Sequence, residues 1–173
     1  MSMMKRRDFL QISSVAVGAT IFGYAASQYA STANVSSTTF KNIALVHADL
    51  FDVKAGFPSV SELNSVGYLK GVLQDPKIPI DKKELIINGA VWLDETAQET
   101  YSKEYLQLAS DERQKLLKEI SMLRWGDNWI WTLMSFQFEA MFADPIYGSN
   151  LNQSGWKWLA YEPGFPRPNE VAI

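Results

Sequence analysis

The segment from Asn128 to Ala143 constrains this fold most, because its helical spacing puts apolar residues on two faces of one helix. One predicted stripe contains Trp129, Leu133, Phe136 and Ala140. A second, nearly opposite, contains Trp131, Met134, Phe138, Met141 and Phe142. A helix that is apolar on two faces is buried on two faces. The segment therefore predicts either a central helix wrapped by its own chain, or a helix with one face on its own core and the other on another protein.

The chain before this segment reads as four more helices, with no strand-like alternation of useful length. Ser59 followed by Glu62, and Asp81 followed by Glu84, look like N-terminal caps, and Gly126-Asp127 looks like a break before the fifth helix. The expected helices run from about Lys41 to Val53, from Ser59 to Leu73, from Asp81 past Leu93, and from Ser110 to Leu123. The predicted fold is all-α, a small bundle of about five helices with an irregular aromatic C-terminal tail wrapping a partner.

The N-terminus resembles a twin-arginine export signal, the kind that exports proteins already folded. The paired arginines Arg6 and Arg7 precede Phe9 and Leu10, and a weakly apolar stretch follows from residue 12 to residue 26. Met4-Lys5 stands where the pattern expects Ser or Thr. We expect residues 1–33 to be the signal and residues 34–173 to be one helical domain. The alternatives are a basic tail before an ordinary helix, or a membrane anchor, for which the stretch is short and diluted by polar residues.

Charge and cysteine content exclude several classes of protein. Residues 1–33 hold three of the 16 basic and one of the 19 acidic residues, so the remainder has 13 basic and 18 acidic residues and a net charge of −5. That balance argues against nucleic-acid binding, which rewards basic surfaces. The chain has no cysteine. Covalent haem attachment through CxxCH, thiolate zinc sites and iron–sulfur clusters are therefore excluded.

No catalytic set can be assembled from these residues. His47 is the only histidine, and it lies in a helix beside Leu50 and Phe51, which favours a structural role. Carboxylates such as Asp94, Glu95 and Glu99 are interpreted as a solvent-facing charged surface. Neither a phosphate-binding loop nor a dinucleotide-binding loop is present. We expect no catalytic, cofactor-binding or metal-binding residue in this chain.

The C-terminal tail, residues 144–173, is the best candidate for a partner interface. Half of the chain's 22 aromatic residues, 11, lie between Trp125 and Phe165, and Trp and Tyr suit interfaces. Asp144-Pro145 should end the fifth helix, and Gly148 should allow a positive-φ turn that presents Tyr147 outward. Truncating Tyr147 or Trp156 is expected to weaken the complex and leave the fold mostly intact. The predicted interface comprises Phe142, Asp144, Pro145, Tyr147, Gly148, Asn150, Gly155, Trp156, Trp158 and Tyr161. The alternative is a tail packed over its own helices.

Two tail segments carry a resemblance to a known family. FADPIYGSN, from Phe142 to Asn150, and GWKWLAYEPG, from Gly155 to Gly164, resemble the C-terminal signature of gluconate 2-dehydrogenase subunit 3, the small subunit. HADLF at residues 47–51, WLD at residues 92–94 and the twin-arginine start are similar to the family as well. The chain departs from the family at residues 148–150, where a second Gly often follows, and at residues 160–162, where Gly is common.

The resemblance implies a non-catalytic small subunit of a periplasmic, membrane-associated, FAD-dependent dehydrogenase of gluconate or another sugar or sugar acid. A large flavoprotein would hold FAD, and a cytochrome c subunit would hold haem c and pass electrons to the quinone pool. This chain would bind the flavoprotein and supply the signal for the twin-arginine translocase. The complex would lie at the inner membrane, and its substrate would be set by the partner. The alternatives are a dedicated export chaperone for a flavoprotein, and an independent exported enzyme.

Overall fold

The computed structural model describes residues 35–51 and 55–167, and all regular secondary structure within these ranges is helical. Three 3-10 turns, at Tyr105–Gln107, Pro145–Tyr147 and Leu151–Gln153, join or follow the longer elements. The predicted all-α bundle is confirmed. The seven α-helices of the described residues are α1 (Ser37–Leu50), α2 (Val60–Leu63), α3 (Ser65–Gln74), α4 (Ile80–Tyr101), α5 (Ser110–Ser121), α6 (Arg124–Phe142) and α7 (Ser154–Trp158).

The N-terminal caps explain where α1 and α2 begin. Helix α1 starts at Ser37, earlier than predicted, because the Ser36 hydroxyl accepts a hydrogen bond from the Thr38 N–H at 3.1 Å. The predicted end at Val53 lies outside the described residues. The capping box before α2 is confirmed, since Glu62 accepts from the Ser59 N–H at 2.8 Å and Ser59 accepts from the Glu62 N–H at 3.2 Å.

Three predicted helix boundaries were wrong. Asn64 takes a left-handed conformation, φ 47°, and splits the expected second helix into α2 and α3. Asp81 does not cap α4; Pro79 precedes that helix, and Asp81 lies in its first turn, where a negative charge suits the helix dipole. Gly126 does not break the chain but lies inside α6, where a Cβ would collide with the carbonyl oxygen of Ile120.

Helix α6 lies at the centre and packs against α1, α3, α4 and α5. Its first predicted stripe is fully part of the interior, since Trp129, Leu133, Phe136 and Ala140 are buried. The second stripe is mixed. Met141 is buried and Met134 and Phe138 are half-buried, whereas Trp131 is 66% exposed and Phe142 is 54% exposed. The central helix therefore has one face in its own core and a second that its own chain covers only in part.

Within residues 35–51 and 55–167, no helix combines the length and the apolarity required to cross a bilayer. The predicted signal residues Arg6, Arg7, Phe9 and Leu10 lie outside the described residues.

Candidate partner interface

The tail begins with a sharp turn at the end of α6. The Asp144 carboxylate accepts a hydrogen bond from the Ile146 N–H at 3.0 Å, and Pro145 opens the short 3-10 turn. Gly148, at φ 83°, ends this turn in a conformation that favours glycine. Tyr147 is left 51% exposed. The predicted end of the helix at Asp144-Pro145 and the positive φ of Gly148 are confirmed.

Asn150 attaches the tail to the helical bundle through three hydrogen bonds. Its N–H donates to the Leu63 carbonyl at 2.9 Å, its side-chain N–H donates to the Ala143 carbonyl at 3.0 Å, and its side-chain oxygen accepts from the Gly155 N–H at 2.8 Å. These bonds join α2, the end of α6 and the start of α7. Asn150 has no exposed surface. The structure therefore places this predicted interface residue under the surface rather than on it.

Gly155 and Trp156 are also internal supports of the tail. A Cβ on Gly155 would collide with the Met141 carbonyl oxygen, so only glycine lets α7 approach α6 this closely. The Trp156 indole N–H donates to the Phe142 carbonyl at 3.0 Å, and the side chain is 4% exposed. The expectation that Trp156 can be truncated with little loss of fold is corrected by this burial, because its ring fills the space between the tail and α6.

A charged pair completes the support. Arg167 donates to both oxygens of Asp144, at 2.9 Å and 3.2 Å, and its guanidinium lies 4.7 Å from the centre of the Trp156 ring. The Ile146 N–H and the Arg167 guanidinium lower the pKa of Asp144. The carboxylate therefore stays ionised and holds residue 167 against the beginning of the tail.

Four of the predicted interface residues carry large, exposed rings, and we call them the aromatic tail surface. They are Phe142, Tyr147, Trp158 and Tyr161, with exposed fractions of 54, 51, 45 and 54%. Pro145 is half-buried and Gly148 is exposed beside them. Sequence reasoning missed three further exposed apolar residues of the tail, Leu151, Leu159 and Phe165, of which Phe165 is 88% exposed. Contiguous exposed apolar patches are a feature of protein–protein interaction sites.

A row of aromatic rings, in stacked and edge-to-face contacts, links two members of this surface. Trp158 packs on Phe57 with ring centres 5.0 Å apart, Phe57 on Phe51 at 4.5 Å, Phe51 on Phe138 at 5.4 Å, and Phe138 on Phe142 at 6.3 Å. The row brings together the end of α1, the loop before α2, helix α6 and the tail. No periodic pattern in the sequence marks Phe57 as buried, because it lies between Gly56 and Pro58, outside any helix.

An open groove lies beside Trp158. Its volume is about 560 Å³, and Phe57, Pro58, Leu151, Lys157 and Trp158 contribute to its walls. Asn152, which lines the groove, and Gln153, which follows it, have positive φ values of 53° and 60°. Left-handed residues that are not glycine often mark functional segments.

Several polar residues that the sequence singled out have structural partners. His47 is 1% exposed, its Nδ1 lies 3.2 Å from the Ser65 hydroxyl, and burial lowers its pKa to about 4. Asp94 is not solvent-facing as predicted; it is half-buried and accepts from the Tyr105 N–H at 2.7 Å. Glu95 and Glu99 are exposed as predicted. Across the described ranges, no three His, Cys, Asp or Glu side chains are grouped to hold a metal ion.

A comparison with known protein families assigns the chain to one of them. The model of gluconate 2-dehydrogenase subunit 3 matches residues 50–164, which is 115 of the 173 residues. The match runs from the end of α1 to Gly164 and so includes the aromatic tail surface. No curated protein and no solved structure matches the chain significantly. The chain belongs to the gluconate 2-dehydrogenase subunit 3 family.

Proposed function

We propose that this protein is the non-catalytic small subunit of a periplasmic, membrane-associated, FAD-dependent dehydrogenase that oxidises gluconate or a related sugar or sugar acid. It binds the large flavoprotein subunit, which holds FAD, beside a cytochrome c subunit that holds haem c. It also supplies the twin-arginine signal by which the folded flavoprotein is exported. The substrate is set by the flavoprotein, because specificity belongs to the subunit that holds the reacting atoms.

One observation carries this proposal: the family match includes a tail with large, exposed apolar side chains, and the residues that support this tail are buried. Asn150, Gly155 and Trp156 hold the backbone, and Phe142, Tyr147, Trp158 and Tyr161 extend from it. A rigid support under exposed aromatic residues suits a protein–protein interface, because little conformational entropy is lost on binding. Aromatic residues are also the commonest energetic centres of such interfaces.

Purification of the full chain through an affinity tag tests the assignment. We expect a flavoprotein and a c-type cytochrome to be recovered with it in fixed stoichiometry, together with dehydrogenase activity. Recovery of the chain alone, with the dehydrogenase active without it, would contradict the proposal. An export chaperone would differ by being present during export and absent from the finished complex.

The export function gives a separate prediction. Replacing both signal arginines, Arg6→Lys with Arg7→Lys, should strand the flavoprotein in the cytoplasm, because the translocase reads the arginine pair. Fractionation followed by flavoprotein immunoblotting measures this, with the single change Lys5→Arg as a control that keeps the pair intact. Normal periplasmic dehydrogenase in the double variant would refute the escort role.

A further inference from the structure

A loop at residues 161–167 presents one apolar ring to solvent. Phe165 is 88% exposed, the largest fraction among the large apolar side chains of the described residues. It lies four residues from Tyr161, a member of the aromatic tail surface, so the loop continues that surface. A phenyl ring is unfavourable in water, and a loop free to fold back would cover it.

Both ends of this loop are attached to one buried residue, Trp156. At the first end, the Tyr161 N–H donates to the Trp156 carbonyl at 2.8 Å, and the two rings meet edge to face with their centres 5.7 Å apart. At the second end, the Arg167 guanidinium lies 4.7 Å from the centre of the Trp156 ring and donates to both oxygens of Asp144. The loop cannot leave the tail without breaking these contacts.

The residues between the two attachments are also restricted. Pro163 and Pro166 have a fixed φ, and each limits the backbone of the residue before it, Glu162 and Phe165. Between these four, Gly164 alone has wide conformational freedom. The loop therefore loses little conformational entropy when a partner covers it, and such preorganisation raises affinity.

We propose that Phe165 is an anchor residue that inserts its ring into an apolar pocket of the flavoprotein subunit. The inference deepens the proposed function and rests on it for the identity of the partner. A large ring held at the tip of a restricted loop fits a pocket better than a flat surface, and aromatic residues in such pockets commonly dominate the binding energy. The continuity with Tyr161 places Phe165 on the face that the flavoprotein is proposed to cover.

Two other occupants are disfavoured. A second copy of this chain could offer the groove beside Trp158, but the loop and the groove are different patches, and pairs of different patches form open-ended chains unless their rotation closes. An anionic membrane surface attracts basic segments, whereas the only charged residue within residues 161–166 is Glu162.

Photo-crosslinking in the assembled complex identifies what covers the ring. The full chain with Phe165→p-benzoylphenylalanine is produced beside its partner subunits and irradiated, and the product is identified by mass spectrometry. We expect a crosslink to an apolar segment of the flavoprotein. Met122→p-benzoylphenylalanine, at a side chain that is 76% exposed outside the tail, should give no such product. A crosslink from residue 165 to a second copy, another subunit or lipid, or no crosslink, would overturn the inference.

Dissociation of the flavoprotein from the immobilised full chain gives a second test. Phe165→Ala should keep the helical circular dichroism, because the ring is exposed, and should release the flavoprotein about thirtyfold faster. Phe165→Leu should restore most of the retention. An unchanged release rate in Phe165→Ala would refute the inference alone, whereas a natural chain that retains no flavoprotein would refute the proposed function.

Arg167 is a positioning residue in this account. Arg167→Gln should speed release by a smaller factor than Phe165→Ala, because the ring remains but its loop is no longer held at the second end. In the Phe165→Ala background the same change should add little, since residues that act as a unit are not additive. Equal factors in the two backgrounds would show that Arg167 does not act through Phe165.

Discussion

Asp49 is the residue on which the polar interior depends. Arg113 donates to both of its carboxylate oxygens, at 2.7 and 2.8 Å, and the Tyr105 hydroxyl donates to it at 2.9 Å. The Asp49 side chain is 6% exposed and that of Arg113 is 15% exposed. These bonds connect α1, the 3-10 turn at Tyr105–Gln107 and α5. Burial, and after it the Asp49 carboxylate, raises the pKa of the Tyr105 hydroxyl, which therefore stays a donor.

Replacing Asp49 by Asn should destabilise the fold strongly, because it leaves a largely buried guanidinium without its counter-charge. We expect a loss of about 3 kcal/mol or more in the free energy of unfolding, measured by urea denaturation. The control is Asp111→Asn, which breaks an exposed pair with Lys115 at 3.9 Å and should cost less than about 1 kcal/mol. Similar losses in the two variants would show that the Asp49 pair contributes no more than a surface pair.

His47 should make the stability of the protein depend on pH. Burial lowers its pKa to about 4 from the ordinary value of 6.5, so between these values the unfolded chain binds a proton that the folded chain does not. Stability is therefore complete above pH 6.5 and falls as the pH drops from 6.5 to about 4, by about 3 kcal/mol. Urea denaturation at several pH values measures the slope.

His47→Gln provides the matched variant, because glutamine is similar in size and does not titrate. It should remove the pH dependence between 6.5 and 4.5, and His47 is the only histidine in the sequence. The carboxyl groups whose pKa values are lowered, Glu62, Glu112 and Asp144, contribute below that window. An unchanged slope in His47→Gln would show that the histidine is not the group responsible.

Among the elements, α7 depends on a close approach that a single methyl group would prevent. Gly155→Ala places a Cβ against the carbonyl oxygen and side chain of Met141, and a backbone atom cannot move aside as a side chain can. We expect a loss of about 1–3 kcal/mol, together with release of the tail from the end of α6. Hydrogen exchange of the Trp156 indole N–H reports that release directly. Gly71→Ala is the control, since a Cβ there meets no atom within 4 Å.

The existence of the helices was predictable from the sequence, whereas their ends were predictable only where a local cap forms. The capping box of Ser59 with Glu62 joins residues that are close in sequence, and it was predicted correctly. Gly126 was misread because its reason is tertiary: the carbonyl of Ile120 occupies the space of a side chain. Asn64 was missed because its left-handed conformation is held by a distant bond, from its side chain to the Gly148 carbonyl at 2.7 Å.

The same distinction applies to the tail. Its composition indicated an interface, but composition does not tell which aromatic rings point inward. Trp156 and Trp158 are two residues apart, yet the first donates to the Phe142 carbonyl and is buried while the second is 45% exposed. The helical turn of α7 separates them, and a helix of five residues gives too little periodicity to be read from sequence.

The molecule as a whole combines a central helix with one covered face, a supported aromatic tail and a loop that exposes Phe165. Helix α6 lies at the centre of the core, but its residues Trp131 and Phe142 lie outside that core. The family to which it belongs is named for a subunit of a dehydrogenase. We therefore propose that the exposed tail residues bind the flavoprotein and that the buried ones do not.

Recovery of the flavoprotein with the variant Tyr147→Ala, Trp158→Ala tests that claim most directly. Truncating an aromatic residue at an interface centre commonly costs about 2 kcal/mol, which is roughly thirtyfold in affinity. The control Met122→Ala removes a side chain that is 76% exposed near the other end of α6. We predict that the double variant keeps its helical circular dichroism and loses the flavoprotein, while the control retains it. Stoichiometric recovery of flavoprotein with the folded double variant would contradict the assignment of this surface.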